Sequence, residues 1–269
     1  MSNFSRDSEN QRDILVEERG EVAWIRLNRP ERMNAYDFAM ASELTEAIEA
    51  ADEAGVVVLA GAGRAFCAGG FLENLAESTE SELRRLFQGS LTLFDAIRRH
   101  PRPVIASVNG AAAGGGNELV VACDLAVAGE SATFGQTGPR VGSAPVLGGT
   151  NMLALMVGEK RAKEISLMCR KYTAAQALEM GMINRVVPDA ELEEETTRWA
   201  DELLALSPRY LEIAKTSSNM WWDACRGSFL SGLGMLGQAA GSDDMREGAK
   251  AFMEKRPPRF REARREGSR

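Results

Sequence analysis

Two glycine-rich segments hold the residues whose types and spacing suit chemistry. The first is Ala65-Phe66-Cys67-Ala68-Gly69-Gly70, shortly after an apolar run. Glycines there let a backbone approach a ligand and turn N–H groups toward it. The second is Val108-Asn109-Gly110-Ala111-Ala112-Ala113-Gly114-Gly115-Gly116-Asn117-Glu118. Its pattern is a strand that passes through glycines into the start of a helix. Unpaired N–H groups and the helix dipole at that end favour an anion or a developing oxyanion. Two such donors on one carbonyl make an oxyanion hole. Glu118, three residues past the middle glycine, adds a carboxylate that can carry a proton. Alone, each segment is more often a tight turn; together they carry more weight. In a purely structural role, Glu118 would only complement the helix dipole, a stabilisation of roughly 0.3–1 kcal/mol.

Other chemistry finds less support. The only histidine, His100, sits in Arg98-Arg99-His100-Pro101-Arg102. Ser143 therefore reads as a turn residue, and a Ser-His-Asp triad is not expected. Cys67, Cys123, Cys169 and Cys225 include no pair at zinc spacing, so they read as reduced thiols and no metal site is expected. Gly232-Leu233-Gly234-Met235-Leu236-Gly237 matches dinucleotide-loop spacing but follows a helical segment, which points to close helix packing. Trp221 and Trp222 read as packing or subunit-contact residues.

The elements that must position these residues alternate between strand and helix. Residues 14–17 and 22–27 read as a hairpin around Arg19-Gly20. Residues 38–50 read as a helix with Met40, Leu44 and Ile48 on one face. Residues 55–60 form an apolar run suited to a buried strand. Thr79 with Glu82 is a capping box opening a helix that carries Leu83, Leu86, Phe87, Leu91, Phe94 and Ile97. Strands follow at 103–108 and 125–127, with a helix between them through Cys123. The fold class is therefore α/β. From Leu147 the pattern is mainly helical, with a capping box at Thr173 and Gln176, a cap at Ser207-Pro208 and a short strand at 183–187. The expected organisation is a disordered lead-in over 1–12, a core over 13–200, and a helical C-terminal subdomain over 201–269 with a basic tail.

Composition narrows the partners. The 269 residues carry 32 Lys+Arg against 39 Asp+Glu, a net charge of −7, and 44% are hydrophobic. An acidic chain is a poor general partner for nucleic acid. The apolar runs are broken by glycines and charges, so no membrane span is expected. The polar start has no apolar core of a secretory signal, which points to the cytoplasm.

The ordered set of motifs resembles the crotonase, or enoyl-CoA hydratase/isomerase, superfamily. The matching pieces are Asn28-Arg29-Pro30 with Asn34-Ala35, residues 65–70, 106–124 and 132–136, Gly148-Gly149-Thr150, residues 175–181, and Val186-Val187-Pro188. They cover most of residues 13–260. The resemblance implies a spiral of repeated ββα units and trimers or dimers of trimers. It implies an acyl-CoA substrate, with CoA as part of that substrate and no tightly bound cofactor. By motif, the N–H groups of Gly70 and Gly115 hold the thioester oxygen, and Glu118 is the acid/base. It further assigns substrate or CoA contacts to Arg29, Met33, Ala68, Gly69, Gly114, Gln136, Thr137, Gly138 and Ser143, and to Phe252 and Lys255 in the tail.

Hydratases of the family use a second glutamate, whose position here is Gly138. Residues 135–143, 159–172 and 247–258 instead resemble a branch that makes or breaks carbon–carbon bonds, the naphthoyl-CoA synthases and 2-ketocyclohexanecarboxyl-CoA hydrolases. Some of its synthases replace that glutamate with bicarbonate, held by residues matching Gln136, Thr137 and Gly138. This chain departs from the branch at Pro145, where an aspartate is usual, at Ser166, where a tryptophan contacts the anion, and at Glu118 itself. Phe71 replaces an aspartate common across the wider family. Three readings follow: a hydratase/isomerase working through Glu118, a β-ketoacyl-CoA hydrolase or synthase with bicarbonate, and a CoA-binding protein without catalysis.

Overall fold

The computed structural model describes residues 12–70 and 79–267. Strands β1 (Ile14–Arg19) and β2 (Val22–Leu27) form the expected hairpin, with Arg19 opposite Val22 and Gly20 at φ +62° in the turn. Helix α1 (Phe38–Glu49) follows, capped by Asp37. Then come β3 (Val56–Gly61), β4 (Ala65–Cys67) and α2 (Glu80–Arg99), which begins at the Thr79–Glu82 capping box. β5 (Val104–Val108), β6 (Ala111–Ala113), α3 (Gly115–Ala122), β7 (Leu125–Gly129) and β8 (Thr133–Gly135) complete the central stretch. After α4 (Met152–Val157) and α5 (Glu159–Met168) come β9 (Tyr172–Thr173), α6 (Ala174–Glu179) with its capping box at Thr173, and β10 (Arg185–Val187).

The main sheet has the order β1-β2-β3-β5-β7-β10, parallel from β2 onward. β3 and β5 are buried at every position, which is why they read as unbroken apolar runs. Alternate residues serve two layers. Ile25, Leu27, Val57 and Leu59 pack with α1 and α2 residues such as Met40, Leu44, Phe94 and Ile97. Val22, Trp24, Val56 and Val58 face α7 (Leu192–Leu204), through Ala200, Leu203 and Leu204. The boundary expected at residue 200 therefore cuts a helix that belongs to the core; the change of character comes after Leu204.

A second sheet, β4-β6-β8-β9, has no counterpart in the sequence pattern. Its strands have two or three residues, too short for any period to show. It carries the two glycine-rich segments to one place, because β4 and β6 pair in parallel just before Gly70 and Gly115.

Beyond α7 the chain is helical: α8 (Pro208–Ser218), α9 (Met220–Ala224), α10 (Arg226–Gln238), α11 (Asp243–Met253) and α12 (Phe260–Gly267). Pro208 opens α8 as expected, but the Ser207 side chain makes no capping bond. The Lys215 ammonium ties α8 to the core at Asp124 Oδ2 (2.7 Å) and donates to the Arg102 carbonyl (2.8 Å). Trp222 packs against Phe229 and donates its indole N–H to Asp95 (2.8 Å), while Trp221 is exposed. The 232–237 glycine pattern lies within α10. Of its three glycines only Gly232 is crowded, against Val146. No described helix is long and apolar enough to cross a membrane.

Candidate active site

The first wall of the site is a loop fastened to β4. Asn34 adopts the left-handed region (φ 56°), which its short polar side chain tolerates. Its Nδ2 donates to the carbonyls of Ala62 (2.9 Å) and Ala65 (2.8 Å), and its Oδ1 accepts from the Arg29 N–H (2.9 Å). Ala68 N–H then donates to Met33 O (2.9 Å), and Tyr36 N–H to Gly69 O (3.0 Å). Residues 33–36 are thus zipped onto the segment that ends at Gly70. The Arg29 guanidinium is shared between Asp13 and Asp37, which raise its pKa. Its direct partners are these two carboxylates, and it braces the loop. Neither it nor Met33 lines the cleft described next.

The second wall is the start of α3. Gly69 (φ +97°) and Gly114 (φ +54°) take conformations that side chains rarely permit. Gly115 is the first residue of α3, so its N–H has no acceptor within the helix. The N–H groups of Gly70 and Gly115 donate to no described residue. They are neighbours: a Cβ built on Gly115 lies 3.2 Å from Gly70 N, and one on Gly69 lies 2.9 Å from Gly115 N. Such a pair of preorganised donors suits an oxyanion.

Between the walls lies a cleft of about 90 Å³. The lining includes the predicted residues Ala68, Gly69, Gly70, Gly114, Gly115, Glu118, Gln136, Thr137, Gly138 and Ser143. Leu86, Phe87, Val141, Pro145, Val146, Leu147 and Leu236 give it apolar surface. Glu118, in the first turn of α3, is the only carboxylate among the described lining residues, and no cation lines the cleft among them. Its Oε1 accepts from the N–H groups of Leu147 (2.9 Å) and Gly149 (3.1 Å). Burial pushes its pKa up to about 7, and the two amide bonds pull weakly the other way. A carboxyl poised there both accepts and returns protons near neutral pH. Ser166 Oγ donates to the Gly149 carbonyl (2.7 Å), so it anchors the residue whose N–H bonds Glu118.

Gly138 starts a 3-10 turn, Gly138–Arg140. A Cβ there would lie 2.8 Å from Ala144 Cα and 3.0 Å from Pro145 Cδ. A side chain at position 138 would therefore have to displace the chain itself. Gln136 is fully buried; its Nε2 donates to Asn117 Oδ1 (3.1 Å) and its Oε1 has no partner among the described residues. Ser143 lines the cleft. His100 lies outside it, at the end of α2, with Nδ1 accepting from the Arg102 N–H (3.1 Å). Phe252 and Lys255 line a separate groove with Arg140 and Met168. Phe71 lies outside the described residues.

Two residues of the site were missed in sequence. Ser166 was noted only as a departure from a pattern. Tyr36 adjoins Asn34-Ala35, but an aromatic residue before a helix reads as core. It is buried, yet its phenol lines the cleft.

The chain is similar to known proteins over nearly its whole length. Residues 17–264 match the family model described as enoyl-CoA hydratase/isomerase. An enoyl-CoA hydratase from Mycobacterium avium subsp. paratuberculosis K-10 is 29% identical, with a TM-score of 0.81 over 93% of this chain and 99% of that one. An enoyl-CoA hydratase from Bacillus anthracis is 33% identical, with a TM-score of 0.76 over 92% and 98%. A monofunctional enoyl-CoA isomerase from M. smegmatis is 34% identical, with a TM-score of 0.69 over 81% and 98%.

Proposed function

This chain belongs to the enoyl-CoA hydratase/isomerase family, and on that premise we propose that it acts on acyl-CoA thioesters through an enolate. In this reading the thioester oxygen rests against the N–H groups of Gly70 and Gly115. Glu118 moves a proton between carbons of the acyl chain. The observation that carries the reading is one buried carboxyl, near pKa 7, sharing a cleft with two unclaimed backbone donors. We assign the CoA portion to Arg29, Met33, Phe252 and Lys255 by resemblance, outside the cleft.

A single carboxyl favours isomerisation over hydration. Hydration of a 2-enoyl thioester has a proton taken from water and another delivered to the α carbon, work that two groups usually divide. Isomerisation of a 3-enoyl thioester suits one group. Glu118 takes a proton from C2, and the electron pair moves through the carbonyl to give a dienolate oxygen. The same carboxyl returns the proton to C4, leaving the double bond between C2 and C3. Neither hydratase nor isomerase relatives stand out by identity, so the reading rests on the carboxylate count.

Bicarbonate-assisted carbon–carbon chemistry has weaker support. Gln136, Thr137 and Gly138 line the cleft, but the Gln136 nitrogen is engaged by Asn117 and its free atom is an acceptor, which repels an anion. Ser166, at the place of the anion-contacting tryptophan, is committed to Gly149.

The test is turnover on a 3-enoyl-CoA, a 2-enoyl-CoA and a cyclic β-ketoacyl-CoA, with and without bicarbonate. The expected result is conversion of the 3-enoyl compound to a conjugated product of equal mass, at a rate indifferent to bicarbonate. Ring opening or a bicarbonate requirement would replace this reading. Binding without any conversion would favour a non-catalytic role.

A further inference from the structure

Tyr36 is a buried phenol that neither the core nor the proposed reaction has accounted for. Its ring is 2% exposed and packs in the main core cluster. A phenylalanine would fill that space without an O–H to satisfy. Ser90 Oγ gives its one hydrogen to Leu86 O (2.9 Å) and lies 3.4 Å from Tyr36 Oη, too far for more than a weak bond with the phenol. Among the described residues the phenol hydrogen therefore has no acceptor at ordinary bond length. A buried donor without a well-placed acceptor is costly, and in a cleft it suits a ligand atom that completes it.

Its position says which ligand atom. A Cβ built on Gly115 lies 2.5 Å from Tyr36 Oη and 3.2 Å from Gly70 N. The phenol oxygen and the two free amides therefore border one small volume. The backbone keeps them in register, because Tyr36 bridges to Gly70 and donates its own N–H to Gly69 O. We propose that Tyr36 is a third donor of the oxyanion site, its O–H bonding to the thioester oxygen as negative charge develops there. This rests on the enolate reading above. The group donates a hydrogen bond and transfers no proton: burial raises the phenol pKa, with smaller contributions from Cys67 and Glu118, so it stays protonated while Glu118 moves the proton. A third donor also fits a site with one carboxylate, since stabilising the dienolate lightens the demand on the base.

Tyr36→Phe keeps the ring and removes the donor. The expected result is a kcat lowered about 10- to 100-fold with KM within about twofold. The infrared carbonyl band of a bound, isotope-labelled enoyl-CoA should shift to low frequency on the wild-type protein and shift less on the variant. Site-specific 3-fluorotyrosine at position 36, a stronger donor in the same shape, should enlarge the shift. If wild-type shifts the band and turns over, and Tyr36→Phe matches it in both, Tyr36 is a packing residue and the proposal fails alone. If wild-type binds the thioester with no shift and no turnover, the enolate reading fails and takes this proposal with it.

Discussion

A carboxyl held near pKa 7 by burial leaves one signature in catalysis and another in folding. In catalysis, kcat/KM should rise through about pH 7 as Glu118 ionises to act as base. In folding, the folded protein keeps a proton that the unfolded chain releases at the ordinary value of 4.5. Stability therefore falls as pH rises from about 4.5 to about 7 and levels above that. The size of the loss is about 3 kcal/mol at ~1.4 kcal/mol per pH unit. Glu118→Gln removes this penalty. Measured against wild-type, its denaturation midpoint should match at pH 4.5 and exceed wild-type at pH 8. Equal pH profiles for the two proteins would show that burial does not raise this carboxyl. Glu118, Gly70 and Gly115 were legible in sequence because each lies in a local pattern with its own physical reason. Tyr36 and Ser166 were not, because their partners, Gly115 and Gly149, lie 79 and 17 positions away and only folding reveals the contact.

The long elements were legible and the short ones were not. β3, β5, α1 and α2 carry enough residues for a period or an unbroken run to show. The second sheet is built from Ala-Phe-Cys, Ala-Ala-Ala, Thr-Phe-Gly and Tyr-Thr, which have neither. Yet it is the pairing of β4 with β6 that sets the two donor glycines side by side. The turn at Gly138–Arg140 yields a prediction of its own. Residue 138 is pressed against Ala144 and Pro145, so Gly138→Glu cannot place a carboxylate in the cleft without moving that segment. The variant should lose about 1–3 kcal/mol of stability, a cost typical of overpacking, and gain no hydration of a 2-enoyl-CoA. A stable variant with new hydratase activity would show that the segment yields.

The C-terminal helices close the molecule over its own site. Leu236 of α10 forms part of the cleft wall, and α11 packs its Gly248 against Val141 and Gly142. The same helices expose Tyr210, Ile213, Met220, Trp221, Leu230 and Met235. Exposed apolar side chains in such number suit a contact surface. A trimer, as the family resemblance implies, would cover such a surface. Light scattering should give three or six times the chain mass of 29.2 kDa; a monomer at micromolar concentration would contradict the assignment.

The most direct test is the rate at which wild-type and Glu118→Gln convert a 3-enoyl-CoA to its conjugated isomer, followed by absorbance. Wild-type should convert it measurably and the variant should lose at least about 100-fold, with thioester binding retained in both. Equal rates in the two proteins, or tight thioester binding by wild-type with no conversion, would contradict the enolate reading.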